Sequence, residues 1–187
     1  RAALRWSQLP PLPEPLGVAG AFAGVSGGAL LVAGGANFPN KLPWEGGKKV
    51  WHDTVFVLEQ PDGHWRKAGQ LPRPVGYGVS VSHQDAVICV GGSDGTRHYA
   101  DVFRLRWRGG QVAIEPLPAL PIALANMSGA VVSHTLFIAG GTETPGELWA
   151  TNRLFALALD EAKPAWRELE PVPGPPRLLA AAAAHDG

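Results

Sequence analysis

Three Gly-Gly pairs begin at positions 34, 91 and 140, each closing a short apolar run, and they recur at roughly 50 residues, the spacing of an internal structural repeat. The segments around them share one layout. A Gly-containing apolar strand, a tight turn and a second apolar strand ending in Gly-Gly are followed by a variable stretch and a third strand. These runs are Gly17–Ser26, Ala29–Gly35 and Thr54–Leu58, then Val75–Ser82, Ala86–Gly92 and Asp101–Leu105, then Met127–Ser133, Thr135–Gly141 and Asn152–Leu157. A fourth, Pro-ended segment completes each set: Trp65–Pro72, Val112–Pro118 and Trp166–Pro173. The runs are short, rich in Val, Ile, Phe and Leu, and bounded by Gly and Pro, which predicts strands. The chain therefore reads as all-β: one unit over 1–187 with four-stranded antiparallel blades at 17–72, 75–118 and 127–173. Orphan strands are expected at 4–10 and 177–185. Open blades leave strand edges exposed, so the chain is expected to be about half of a six-bladed whole and not to close on itself.

Composition agrees and narrows the partners. Gly and Pro number 24 and 18, and neither suits a helix interior. Hydrophobic residues make up 45%, enough apolar surface to offset the entropy of ordering. Lys+Arg and Asp+Glu are 16 each, so no net field draws the chain to nucleic acid or to a membrane surface. One Cys excludes an internal disulfide and a Cys-based zinc site. No run of about 18 apolar residues predicts a membrane-spanning helix.

Strand parity assigns the loops to faces. The 2–3 loops and the 4–1 connections share one face, and the 1–2 and 3–4 turns share the other. The long loops are Ala36–Asp53, Ser93–Ala100 and Thr142–Thr151, and binding residues concentrate on long loops held by a rigid scaffold. Ala36–Asp53 gathers Asn37, Trp44, Glu45, Lys48, Lys49, Trp51 and His52. Aromatic faces stack on sugar C–H groups, while charged and amide groups hydrogen-bond hydroxyls or a carboxylate. The 4–1 connections add Arg73, Asn126 and Arg177, expected at equivalent repeat positions on the rim of a central channel. His64, His83 and His134 fall on the opposite turns and read as solvated. Trp6, Trp65 and Trp166 recur at one repeat position and are expected to pack between blades.

The layout resembles the kelch β-propeller. Gly17-Val-Ala-Gly-Ala-Phe-Ala-Gly24, Ala33-Gly-Gly-Ala-Asn37, Trp44-Glu-Gly-Gly-Lys-Lys49 and Tyr77-Gly-Val-Ser80 are similar to the bacterial N-acetylneuraminate epimerases, and within them to a cyclically permuted branch. Leu71-Pro-Arg-Pro74 and Ala150-Thr-Asn-Arg153 strengthen the likeness. The resemblance implies a six-bladed kelch propeller, an isomerase that interconverts the anomers of sialic acid, a periplasmic or cytoplasmic location in a bacterium, and a small sugar acid as partner. It leaves room for a homodimer. The Glu/Arg pair proposed as catalytic in the family would fall beyond Gly187. Gly141-Thr-Glu143…Arg153 mimics it in a different blade, so the role does not transfer.

Mutarotation opens a ring hemiketal and recloses it on the other face. One group takes the anomeric hydroxyl proton and another gives a proton to the ring oxygen. Glu45 and His52 have suitable acid–base ranges. Lys48, Lys49 and Arg73 could hold the carboxylate, and Asn37, Trp44, Trp51, Asn126 and Arg177 complete the binding set. Neither metal nor cofactor is needed. A non-catalytic kelch module that binds protein or carbohydrate through the same loops is the alternative, since interfaces also favour Trp and Arg. A kelch-fold copper radical oxidase is disfavoured: only Tyr77 and Tyr99 are present, and Cys89 lies inside Ala86–Gly92, where a buried structural thiol is expected.

Overall fold

The computed structural model describes residues 4–147 and 149–185. In the first repeat β1 (Phe22–Ser26) and β2 (Ala29–Ala33) form a hairpin. A two-residue ladder of β3 (Ala36–Asn37) with β4 (Val50–Trp51) then carries a 3₁₀ turn at Pro43–Glu45. β5 (Thr54–Leu58) and β6 (Arg66–Gln70) complete the sheet β1-β2-β5-β6. The second repeat is β7 (Val79–His83), β8 (Ala86–Val90), β9 (Val102–Arg108) and β10 (Gln111–Leu117). The third is β11 (Ser128–Val132), β12 (Thr135–Ala139), β13 (Leu154–Ala158) and β14 (Trp166–Leu169). Each sheet follows chain order and every ladder is antiparallel. These three blades are a partial kelch-type propeller.

Alternation explains how the blades stack. All five residues of β8 are buried, because both faces of its sheet are covered. Val87 and Cys89 point into one core with Phe22, Leu31, Val55 and Val57 of the first blade. Ile88 and Val90 point into a second core with Leu136, Ile138, Phe155 and Leu157 of the third. Burial pushes the Cys89 thiol up, as expected of a structural cysteine.

The Gly-Gly pairs link one blade to the next. The first Gly donates its N–H to the chain at the entry to the third strand: Gly34 to Thr54, Gly91 to Asp101, Gly140 to Arg153. The second donates to the following connection: Gly35 to Val75, Gly92 to Leu124, Gly141 to Arg177. At Gly91, φ is +59° and a Cβ would lie 2.5 Å from Leu124 O, so only glycine fits. A second series of bonds runs between connections, Tyr77 N–H to Gly20 O, Asn126 N–H to Tyr77 O and Leu179 N–H to Asn126 O.

These bonds correct the repeat register. Arg177 aligns with Val75 and Leu124, and Asn126 aligns with Tyr77 and Leu179, so Arg73, Asn126 and Arg177 are not equivalent. The connections differ in length, and the hydrogen bonds fix their alignment. The segments 4–10 and 177–185 contain no strand. Arg177 accepts from the Gly141 N–H and donates to Thr151 O, and Leu179 donates to Asn126 O, and these scattered bonds do not make a ladder. Trp65 and Trp166 are half-buried and donate to Pro10 O (2.9 Å) and Pro118 O (2.8 Å). Trp6 is 91% exposed, with no blade of the described residues covering it.

At the end opposite the long loops, His83 is half-buried rather than solvated. Its ring meets His134 edge-on at 5.4 Å between centroids, bridging the second and third blades. Burial, then the His134 and Arg104 charges, push His83 below the usual imidazole range, against a smaller pull from Asp160. The unfolded chain therefore takes up this proton first, and stability falls as pH drops through about 6.5. The urea midpoint is expected to decrease from about pH 7.5 to about pH 5.5, and His83→Gln to flatten that slope. The same slope in both proteins would contradict this.

Candidate functional site

Three short bridges bring the connections and the long loops together at one end. Ala19 pairs with Ala36, Gly76 with Ser93, and Ala125 with Thr142, each joining the start of a blade to the residue after its Gly-Gly pair. Between them, where the three blades meet, lies a cavity of about 240 Å³. Lys49 and Trp51 come to it from the first blade, Tyr77, Ser93, Asp94 and His98 from the second, and Asn126 from the third.

Lys49 is the cation of this cavity. Its Nζ donates to Tyr77 Oη at 2.9 Å and sits 4.7 Å from the Tyr77 ring, 5.5 Å from Phe38 and 5.7 Å from Trp51. Three aromatic faces and one hydroxyl hold the ammonium in place. Because Tyr77 Oη accepts from Lys49, its own hydrogen is left to point elsewhere. Tyr77 has φ +62° and Asn126 +59°. Asn tolerates this left-handed conformation, but for a bulky Tyr it is strained, and such strain concentrates at functional sites.

The second blade supplies an anion. Burial opposes the charge of Asp94, but hydrogen bonds from Tyr99 Oη, from the Thr96 N–H and hydroxyl, and from the Arg97 N–H outweigh it. They hold the carboxyl well below the usual carboxylate range. His98 is 8% exposed and its Nε2 lies 3.0 Å from Thr142 Oγ1. Burial keeps its pKa low, so the ring is neutral at neutral pH. Asn126 Nδ2 donates to the same Thr142 oxygen at 3.3 Å.

The remaining sequence candidates lie elsewhere. Asn37 is 9% exposed and braces the loop, donating to Gly17 O (3.0 Å) and meeting His52 Nε2 through Oδ1 at 2.9 Å. Glu45 accepts from the Leu42 N–H at 3.1 Å. Trp44 is 79% exposed, and Lys48 is exposed. Arg73 pairs with Asp101 at 3.0 Å and stacks over Tyr99, in the wall of a different cavity. Arg177 donates to Pro173 O at 2.7 Å. Arg153 grips Glu168 at 2.7 and 2.8 Å and has Glu143 at 3.7 Å. Sequence reasoning misses Tyr77, Asp94 and His98, although Asp94 and His98 lie on Ser93–Ala100, a loop that strand parity places on this same face.

Comparison with known proteins fits the architecture. Residues 1–114 match the N-acetylneuraminate epimerase family. The chain belongs to that family. It is 44% identical over 109 residues to the N-acetylneuraminate epimerase of Yersinia pestis, covering 53% of this chain and 27% of that protein. It is 39% identical over 127 residues to the N-acetylneuraminate epimerase of Haemophilus influenzae, covering 60% of this chain and 33% of that one. The chain thus spans about a quarter to a third of the length of these epimerases. The solved structure of YjhT superposes with a TM-score of 0.73 at 15% identity, over 92% of this chain and 57% of that one, and shares the fold. Lys49, Trp51, Tyr77, Asp94 and His98 all lie within the part matched by the epimerase family.

Proposed function

We propose that this chain forms part of a sialic acid mutarotase, and that the cavity between Lys49, Tyr77 and Asn126 holds N-acetylneuraminate while its ring opens and recloses. The observation that carries the reading is the caged Lys49 ammonium beside the Tyr77 hydroxyl, at the meeting point of three blades of an epimerase-family fold. The ammonium takes the sugar carboxylate. The Asn126 amide and the fixed Asp94 carboxylate take hydroxyl or N-acetyl groups, and Trp51 offers an apolar face. Tyr77 gives a proton to the ring oxygen as the hemiketal opens. The base that takes the anomeric hydroxyl proton belongs to sequence that the longer relatives have and this chain does not span. Asp94 is too weakly basic for that step. In this reading Glu45 and His52 shape the loop, through Leu42 and Asn37, and do not transfer protons.

Calorimetric titration of the intact protein with N-acetylneuraminate tests the site. Lys49→Ala is expected to weaken binding by roughly 10- to 100-fold, the worth of a lost charge-assisted hydrogen bond of about 1.5–3 kcal/mol. His134→Ala, at the opposite end, is expected to leave binding unchanged. Equal effects from the two variants would remove the site from this face. The 79% exposure of Trp44 favours the second reading, a non-catalytic carbohydrate- or protein-binding module. Sugar binding without any acceleration of anomer exchange would support it.

A further inference from the structure

A second cavity, of about 250 Å³, lies away from the proposed sugar site, beneath the connection from the first blade to the second. Its wall is apolar, from Pro72, Val75, Val102, Phe103 and Ile114, with the Arg73–Asp101 pair at one side. The repeat shows why it is empty of side chain. Thr54, Asp101 and Arg153 are equivalent, since each accepts the N–H of the first Gly of a pair. Counting along the third strands, Leu105 corresponds to Leu157 and Leu58. Their neighbours across the ladder are Ile114 and Trp166, and Trp65 directly precedes Arg66, the partner of Val57. The second blade therefore carries Ile where the first and third carry Trp.

In those two blades the indole is half-buried and its N–H reaches the preceding connection, at Pro10 O and Pro118 O. The connections differ in the same sense. Counted from Leu71 and Leu120, which bond Asp53 O and Ala100 O, the residue two further on is Arg73 in the cavity wall but Ile122 in the connection to the third blade, packed against the core. Replacing Trp and Ile by Ile and Arg73, which pairs with Asp101 and stacks over Tyr99, leaves the space beside Ile114 open, with Tyr99, where the sister blades carry His52 and Thr151, in its wall. An apolar space of about 150 Å³ is already enough to admit benzene.

We propose that this cavity binds a small planar aromatic molecule of about indole size, which supplies from outside the ring that the sister blades carry on their own chain. Apolar walls take the two faces of the ring. The Asp101 carboxylate and Arg73 guanidinium offer an acceptor and a donor for a polar edge.

Indole is the probe, titrated into the intact protein and followed by ligand-observed saturation transfer and methyl-resolved NMR. Wild type is expected to bind it, with intermolecular NOEs from the ring to the Ile114 and Val102 methyls. Ile114→Trp, which restores the sister blades' residue, is expected to weaken binding by roughly tenfold or more by filling the space. The same variant should bind N-acetylneuraminate as wild type does, and Lys49→Ala should bind indole as wild type does, so this site and the sugar site fail separately. No binding by wild type, NOEs only to other residues, or equal binding by wild type and Ile114→Trp would each overturn the proposal. If Ile114→Trp does not fold, the wild-type NOEs decide alone.

Discussion

Gly91→Ala is expected to destabilise the protein by on the order of 3 kcal/mol or more and to lower its melting temperature by roughly 10 °C. Two costs add. The φ of +59° strains any residue with a Cβ. The new methyl would also lie 2.5 Å from Leu124 O and 2.6 Å from Met127 Cε, in the seam between the second and third blades. Relief requires moving the backbone that carries the Gly92–Leu124 bond. Gly110→Ala is the control. Its φ is +81°, but nothing lies within 4 Å of the added Cβ, so only the conformational cost of about 1–2 kcal/mol applies. Thermal melts of the two variants separate the contributions. Equal losses would mean that the Gly-Gly pairs serve turn geometry alone and not blade-to-blade contact.

Tyr77→Phe is expected to slow the exchange of sialic acid anomers by on the order of 100-fold, the worth of a positioned proton-transfer group. Binding should change by less than roughly tenfold, because the Lys49 ammonium remains and the variant keeps the ring beneath it. The split between rate and affinity is the informative readout. A group that only shapes the cavity would shift both together, whereas a proton donor acts in the transition state. Saturation-transfer NMR between the two anomers gives the rate, and calorimetry gives the affinity. A full rate in Tyr77→Phe would take the proton-transfer role away from Tyr77.

The propeller layout was legible because two signals agree. Gly-Gly recurs where only glycine fits, as at Gly91, and the apolar runs are as short as strands buried on both faces, as in Ala86–Val90. The flanking segments misled because repeat likeness marks a position but cannot supply a pairing neighbour. The loop Ala36–Asp53 was legible as a dense cluster of aromatic and charged residues. Which of them turn inward was not. The β3–β4 ladder and the 3₁₀ turn at Pro43–Glu45 send Lys49 and Trp51 to the cavity and leave Trp44 outside. No local pattern encodes that division. Arg73 was expected at a rim position equivalent to Asn126 and Arg177, whereas the interblade hydrogen bonds set a different register and Arg73 turns toward Asp101. Asp94 and His98 lie in a shorter loop without Trp, so composition did not mark them, although the same parity argument covers that loop.

A crystal structure of the intact protein with N-acetylneuraminate would locate the sugar acid. Density for the sugar is expected between the blades, its carboxylate within hydrogen-bond distance of Lys49 Nζ and its ring beside Tyr77 Oη and Asn126. A sugar bound only elsewhere, for example against exposed Trp44 or at the Arg73–Asp101 pair, would contradict it.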